Sequence, residues 1–226
     1  MYILAVDTSN NICTVALNDN ENNIDLLIEN TPSKQAEKLV TMIEQIMARN
    51  KISYDDIELF STSIGPGSFT GVRIGISAIK GIELTTNKES SGVSNLQAQA
   101  YLGNIESGNP EVISCMNAMR NQLFLQSFIF EKDIPVATTE PEMIFIDNLE
   151  DYLNKHNNSK NKYLALNCNE LIPGQILDNY NHSKNILTNA KDIADLAFSF
   201  KKHNKEAKVS PLYIRPPDAK KANVKN

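Results

Sequence analysis

The sequence predicts an α/β protein of two lobes, and three observations predict it. Three short apolar runs open the chain, separated by turn-forming segments. Each half then passes through helix, strand and helix patterns. A stretch rich in Gly, Asn, Ser and Pro, "GNIESGNPE", separates the halves. A chain of 226 residues is long enough to bury a core of this kind.

The runs Tyr2–Val6, Ile12–Leu17 and Ile24–Ile28 are divided by "DTSNN" and "NDNENN", which makes them a strand meander. In "SKQAEKLVTMIEQIMARN" the residues Leu39, Val40, Met42, Ile43, Ile46 and Met47 recur at helical spacing. "IELFSTS" follows as a buried strand and feeds a glycine-rich stretch. Ser68 is expected to cap a helix running to about Leu84, and Ser94 to cap a shorter one over "NLQAQAYLG". Beyond the divide, Val112–Met116 and Leu123–Phe130 read as strands around the tight turn "NAMRNQ", and "IPVATTE" as a further extended piece. Asp147 and Glu150 have capping-box spacing for "NLEDYLNKH". "KYLALN" reads as a strand and "AKDIADLAFSFKKH" as the closing helix. The expected division is a first lobe over residues 1–103, a second over 104–215 and a basic flexible tail over 216–226.

Composition narrows the function. Hydrophobic residues make up 41% of the chain and charged residues 22%, as in an ordinary globular protein. No apolar run approaches the roughly 18 residues that span a bilayer, and the opening "MYILAVDTSN" is too short and acidic for a signal peptide. Cys13, Cys115 and Cys168 form an odd, widely spaced set, which suits a reduced, cytoplasmic setting. A net charge of −5 argues against unaided binding of nucleic acid, because phosphate contacts dominate that affinity. His156, His182 and His203 stand in polar contexts without metal-ligand spacing, so they are expected on the solvated surface and no metal site is expected.

"SIGPGSFTGVRIGISAIKG" holds five of the nine glycines. It matches neither the P-loop nor the dinucleotide pattern, although the strand, turn and helix start leave backbone N–H groups for an anion. Gly71 and Gly75 are four apart and share one helix face, flanked by Val72, Ile76 and Ile79. Such a face lets another backbone approach closely. Spacing alone leaves open whether that backbone belongs to the same lobe or to another chain.

"ILAVDTSNNICTVAL", "GPGSFTGVRIGISAIKG", "GVSNLQAQA" and "PLYIR" together resemble the TsaB (YeaZ) family. The resemblance runs from residue 2 to about 215 and is strongest in the first hundred residues. It implies the duplicated, ribonuclease H-like fold shared by actin, Hsp70 and sugar kinases. It also implies a non-catalytic subunit that pairs with the catalytic subunit TsaD. TsaD carries threonylcarbamoyl to the N6 amine of the adenosine beside the tRNA anticodon. The ATPase TsaE joins the pair, and TsaC-type enzymes supply the activated threonylcarbamoyl-adenylate. The resemblance implies pairing through helices 34–49 and 68–84, which makes Leu39, Ile43, Ile46, Gly71, Val72, Arg73, Gly75, Ile76 and Ile79 the expected interface. A homodimer through the same helices is the expected state without the partner, and tRNA is met only indirectly. No membrane partner is expected.

Actin-like kinases hold phosphate on two hairpins and adenosine against a glycine pair. Asp7, Thr8 and Ser9 sit where the first hairpin would be, either as a vestigial nucleotide site or as an Asx-type turn. At the second hairpin Asn117 replaces the Asp that the resemblance leads one to expect, and Asn121 and Gln122 replace Gly and Glu. After Gly108 only Gly174 remains, so no glycine pair is present. Gln35 stands where many relatives carry His. No cofactor of its own is therefore expected, with ATP or ADP a candidate only at the joint with the partner. Arg73 is suited to a partner carboxylate, a shared nucleotide or a loop carbonyl of its own lobe. The rival readings are an ATP-dependent small-molecule kinase and a peptidase-like protein, the latter without a visible catalytic arrangement.

Overall fold

The computed structural model describes residues 1–20, 22–30, 34–156 and 162–214. The tail 216–226 lies outside the described residues. The first lobe opens with β1 (Tyr2–Asp7), β2 (Ile12–Asp19) and β3 (Asn22–Asn30), an antiparallel meander. Helix α1 (Gln35–Asn50) leads to β4 (Ile57–Ser63), and α2 (Phe69–Thr86) to β5 (Glu89–Val93). Both β4 and β5 run parallel to β1, which is why each needs a helical crossover. The sheet order is β3-β2-β1-β4-β5.

After β5 come α3 (Asn95–Ser107), β6 (Glu111–Asn117), β7 (Gln122–Glu131), β8 (Ile134–Ala137) and β9 (Glu142–Phe145). They are followed by α4 (Leu149–His156), β10 (Tyr163–Leu166), α5 (Gly174–Asn179) and α6 (Ala190–Lys202). The second sheet, read β8-β7-β6-β10, repeats the order β3-β2-β1-β4 of the first, with the same antiparallel and parallel pairings. The fold is therefore the duplicated two-lobe architecture that the sequence predicts. Ser94 caps α3 as expected, its Oγ accepting from the Leu96 amide. A short 3₁₀ turn, Ile146–Asn148, takes the place of the expected box at Asp147, and α4 starts after it.

The expected lobe boundaries need correction, because two helices cross over. Although α3 precedes the divide, it packs on the second sheet, with Leu96 and Ala100 against Val112, Tyr163 and Ala165. The closing helix α6 packs on the first sheet, with Ile193, Leu196 and Ala197 against Ile3, Ala5 and Ala16. Alternation along β1 explains why a strand can be buried on both faces. Ile3 and Ala5 meet α6, while Leu4 and Val6 meet α1 through Leu39, Ile43 and Ile46. Two polar contacts fix α6: Asn18 Nδ2 donates to Asp195 Oδ1 at 2.7 Å, and the Ala190 amide donates to Thr14 Oγ1 at 2.9 Å. The last described segment then returns along the first lobe. Gly92 N donates to Ala207 O, Val209 packs with Val72 and Ile76, and Leu212 N donates to Ile64 O. Among the described residues no helix is long and apolar enough to cross a membrane. All three cysteines are buried and unpaired, and burial pushes the Cys13 thiol up to about 12.

Candidate functional site

The turn after β1 and the start of α2 form one tightly packed unit. Asp7 is buried, and its Oδ1 accepts from the Ser9 amide at 2.8 Å and from the Ser63 hydroxyl. Burial raises its pKa, a shift that these hydrogen bonds partly oppose. Thr8 Oγ1 donates to Gly71 O at 2.7 Å, and Ser68 N donates to Ser9 O at 2.7 Å. Ser9 Oγ in turn accepts from Asn95 Nδ2 at 2.7 Å. The Asp7 and Thr8 side chains are thus spent on local structure, and only Ser9 of the three lines a cavity. Gln35, buried, donates from Nε2 to Asn10 O at 3.2 Å and ties α1 to the same turn.

The glycine face of α2 is turned into its own lobe, which corrects the expected interface. A Cβ on Gly71 would overlap the Thr8 carbonyl oxygen, and one on Gly75 would lie 2.7 Å from Thr62 Oγ1 and 2.9 Å from Thr8 Oγ1. Val72, Ile76 and Ile79 are buried with them, and Leu39, Ile43 and Ile46 of α1 face the sheet. Gly71 admits the backbone of the β1–β2 turn, and Gly75 the side chains of Thr8 and Thr62. Ser68 does cap α2, its Oγ accepting from Gly71 N at 3.2 Å.

The outer faces of α1 and α2 leave a shallow groove of about 440 Å³ between them. Leu39 forms part of its floor, while Val40, Phe69, Arg73, Ile74 and Ala78 form its walls. Val40 is 54% exposed and Phe69 47%, although helical spacing had placed Val40 with the buried stripe. Sequence reasoning missed Phe69 and Ile74. The available signal was that the apolar residues of the second helix cover more than one face. Of the expected interface residues, Arg73 alone stands exposed. Its guanidinium lies 3.7 Å from the Phe69 ring centroid, and its Nε donates to Tyr213 OH at 2.8 Å. It engages its own C-terminal segment, a partner that none of the sequence readings included. Arg73→Ala is expected to cost about 1 kcal/mol or less, because the cation–π contact is at the surface, read as a small drop in Tm.

A second cavity, of about 750 Å³, lies between the lobes. Ser9, Asn10 and Asn11 reach it from the first lobe, Asn117 and Asn167 from the second, and Tyr213 from the returning segment. Among the described residues eighteen line it, and none of them is charged. The first hairpin's carboxylate is buried beneath, and Asn117 turns its Oδ1 to the Met119 amide at 2.7 Å. These residues do not fit a metal-bound nucleotide, which needs carboxylates or cationic donors beside its phosphates.

The histidines correct a second expectation, since each is half-buried rather than solvated. The His156 ring lies tilted against that of Tyr152 with centroids 4.5 Å apart, while His182 Nδ1 lies 2.9 Å from Ser183 O and His203 Nδ1 2.8 Å from Ser199 O. Among the described residues no three His, Cys, Asp or Glu side chains converge as a metal site would require.

Comparisons with known proteins agree with this architecture. A family model described as TsaD, tRNA N6-adenosine threonylcarbamoyltransferase, matches residues 29–225. The chain is similar to the tRNA threonylcarbamoyladenosine biosynthesis protein TsaB of Escherichia coli K12, with 29% identity over 150 residues. That match spans 64% of each protein, just under two thirds of the relative's length. It is also similar to the TsaB of Buchnera aphidicola subsp. Schizaphis graminum, with 27% identity over 199 residues, covering 87% of this chain and 93% of that one. A solved Pseudomonas aeruginosa protein, described as similar to peptidase YEAZ, superimposes with a TM-score of 0.79 at 20% identity, covering 95% and 99% of the two chains. A ROK hexokinase from Thermus thermophilus shares the fold at a TM-score of 0.55 and 10% identity, over 91% of this chain and 99% of that one.

Proposed function

The chain belongs to the tRNA N6-adenosine threonylcarbamoyltransferase (TsaD) family as a TsaB/YeaZ-type member, and from that premise we propose that it is a non-catalytic subunit in tRNA threonylcarbamoyladenosine synthesis. Its partner in this reading is the catalytic TsaD subunit, which carries the threonylcarbamoyl group to the adenosine N6 amine. The observation that carries the proposal is the apolar groove between α1 and α2, with Val40 and Phe69 left exposed on its walls. A paralogous subunit that presents a like pair of helices is suited to fill it.

The uncharged character of the described residues that line the interlobe cleft supports the non-catalytic assignment. So does the burial of Asp7 within the first hairpin. TsaE is the third component in this reading, and ATP or ADP belongs at the joint between subunits, where Arg73 stands on the groove rim. Contact with tRNA runs through the partner, consistent with the net charge of −5. Buried, unpaired cysteines suit a reducing cytoplasm.

The test is to mix the chain with its own organism's TsaD and measure mass by light scattering on a sizing column. Val40→Asp with Ser77→Arg, both exposed on the groove, is expected to weaken a 1:1 pair by about 100-fold, roughly 2.7 kcal/mol, while far-UV circular dichroism and Tm stay unchanged. A pair that survives both substitutions at unchanged affinity overturns the docking assignment. Without the partner, the same groove is expected to mediate a homodimer, which the double variant would also dissolve.

A further inference from the structure

We infer that the interlobe cleft is a binding site for an uncharged, flat molecule of nucleoside size, and not for the phosphorylated nucleotide that its fold holds in sugar kinases. Its volume of about 750 Å³ falls within the roughly 300–1,000 Å³ that small-molecule sites occupy. The two lobes contribute different chemistry to it.

From the second lobe come two carboxamides whose oxygens are already engaged. Asn117 Oδ1 accepts from the Met119 amide at 2.7 Å, and Asn167 Oδ1 accepts from the Asn117 amide at 3.0 Å. Each side chain is therefore oriented by an internal hydrogen bond, and its NH2 group has no partner among the described residues. Two donors at the end of adjacent strands β6 and β10 suit the carbonyl oxygens and ring nitrogens along the edge of a heterocycle. Phe124 and Tyr213 supply the apolar and aromatic faces that a ring would lie against.

A phosphate finds no comparable partner here. Among the described residues no Lys or Arg lines the cleft, and the net charge of −5 opposes an anion further. The first turn of α2 does reach the cavity, and its dipole favours anions. One of its amides is already taken, however, Gly71 N by Ser68 Oγ, and the cap's own amide, Ser68 N, by Ser9 O. A neutral ligand meets the amides without leaving a charge unpaired in a partly closed cavity.

Adenosine, uridine and ATP with Mg²⁺ are the probes, each titrated into the isolated chain and followed by ¹⁵N NMR of the backbone and Asn side-chain amides. At least one nucleoside is expected to shift the Asn117, Met119 and Asn167 signals in a saturable way below about 5 mM, and ATP with Mg²⁺ to leave them in place. Asn117→Asp preserves the side chain's shape and its bond to Met119 N but replaces the NH2 donor with an oxygen. It is expected to weaken nucleoside binding about tenfold with Tm unchanged. The proposal is overturned if neither nucleoside shifts these signals, or if ATP with Mg²⁺ shifts them as strongly. It is equally overturned if Asn117→Asp, still folded, binds the nucleoside as the parent does. Pairing with the partner subunit enters none of these readouts, so failure here leaves the docking proposal standing.

Discussion

Gly71→Ala is expected to destabilise the fold by at least about 3 kcal/mol, far more than adding one methyl group normally costs. The added Cβ would overlap the Thr8 carbonyl oxygen, a backbone atom that no rotamer change can move aside. Relief requires α2 to lift from the β1–β2 turn, which would break the Thr8 Oγ1 to Gly71 O bond and loosen the Ser68–Ser9 contact. In a chain of this size the loss corresponds to a fall in Tm of about 6–12 °C, measured by thermal circular dichroism. Gly81→Ala provides the control within the same helix. A Cβ there meets nothing within 4 Å, so the gain in helix propensity should stabilise by about 1 kcal/mol. Equal effects at the two positions would contradict the inward-facing arrangement. The same geometry means that bulky residues at Gly71 and Gly75 would unfold α2 before they could report on a partner.

The second large effect is a pH dependence of stability centred on α6. Asp192 is buried near the helix start, its Oδ2 accepting from the Asn189 amide at 2.9 Å. Desolvation pushes its pKa up to about 6, with Asp195 and Asp7 adding repulsion. A carboxyl whose folded pKa lies above its unfolded value is happier protonated in the fold. Its stabilising contribution is therefore complete below about pH 3.8 and is lost as the pH rises through about 6. The shift corresponds to about 3 kcal/mol between those limits. Asp7, also raised by burial, acts with the same sign. Urea unfolding between pH 4.5 and 8 is expected to show a midpoint that falls with rising pH, and Asp192→Asn to flatten most of that slope. A slope unchanged in the variant would remove Asp192 as its source.

Much of the fold was legible because burial leaves a local periodicity. The alternation that makes β1 buried on both faces is written in Tyr2–Asp7, and the helical spacing of Leu39, Met42, Ile43 and Ile46 predicts which side of α1 packs. Ser68 and Ser94 cap the helices they precede, since an N-cap is a contact between near neighbours in the chain. The groove between α1 and α2 was legible only in part. Spacing placed Gly71 and Gly75 on one face correctly, but both outcomes of that face were compatible with the spacing. Val40 looked like a stripe residue because it adjoins Leu39, yet a helix turns about 100° per residue and carries it to the surface.

By itself the sequence determined the two-lobe α/β class, most of the helix and strand order and the family, all carried by local pattern or by motif; it left out β5, β9 and α5, which are short. Tertiary structure decided which lobe α3 and α6 join, what the glycines press against, where Arg73 points and which amides meet in the cleft. Each of these depends on pairs distant in the chain, such as Thr8 with Gly71, Asn117 with Asn167 and Arg73 with Tyr213, separated by 63, 50 and 140 residues. Such contacts are selected by the joint packing of the whole chain, and no window of neighbouring residues contains the forces that choose between them.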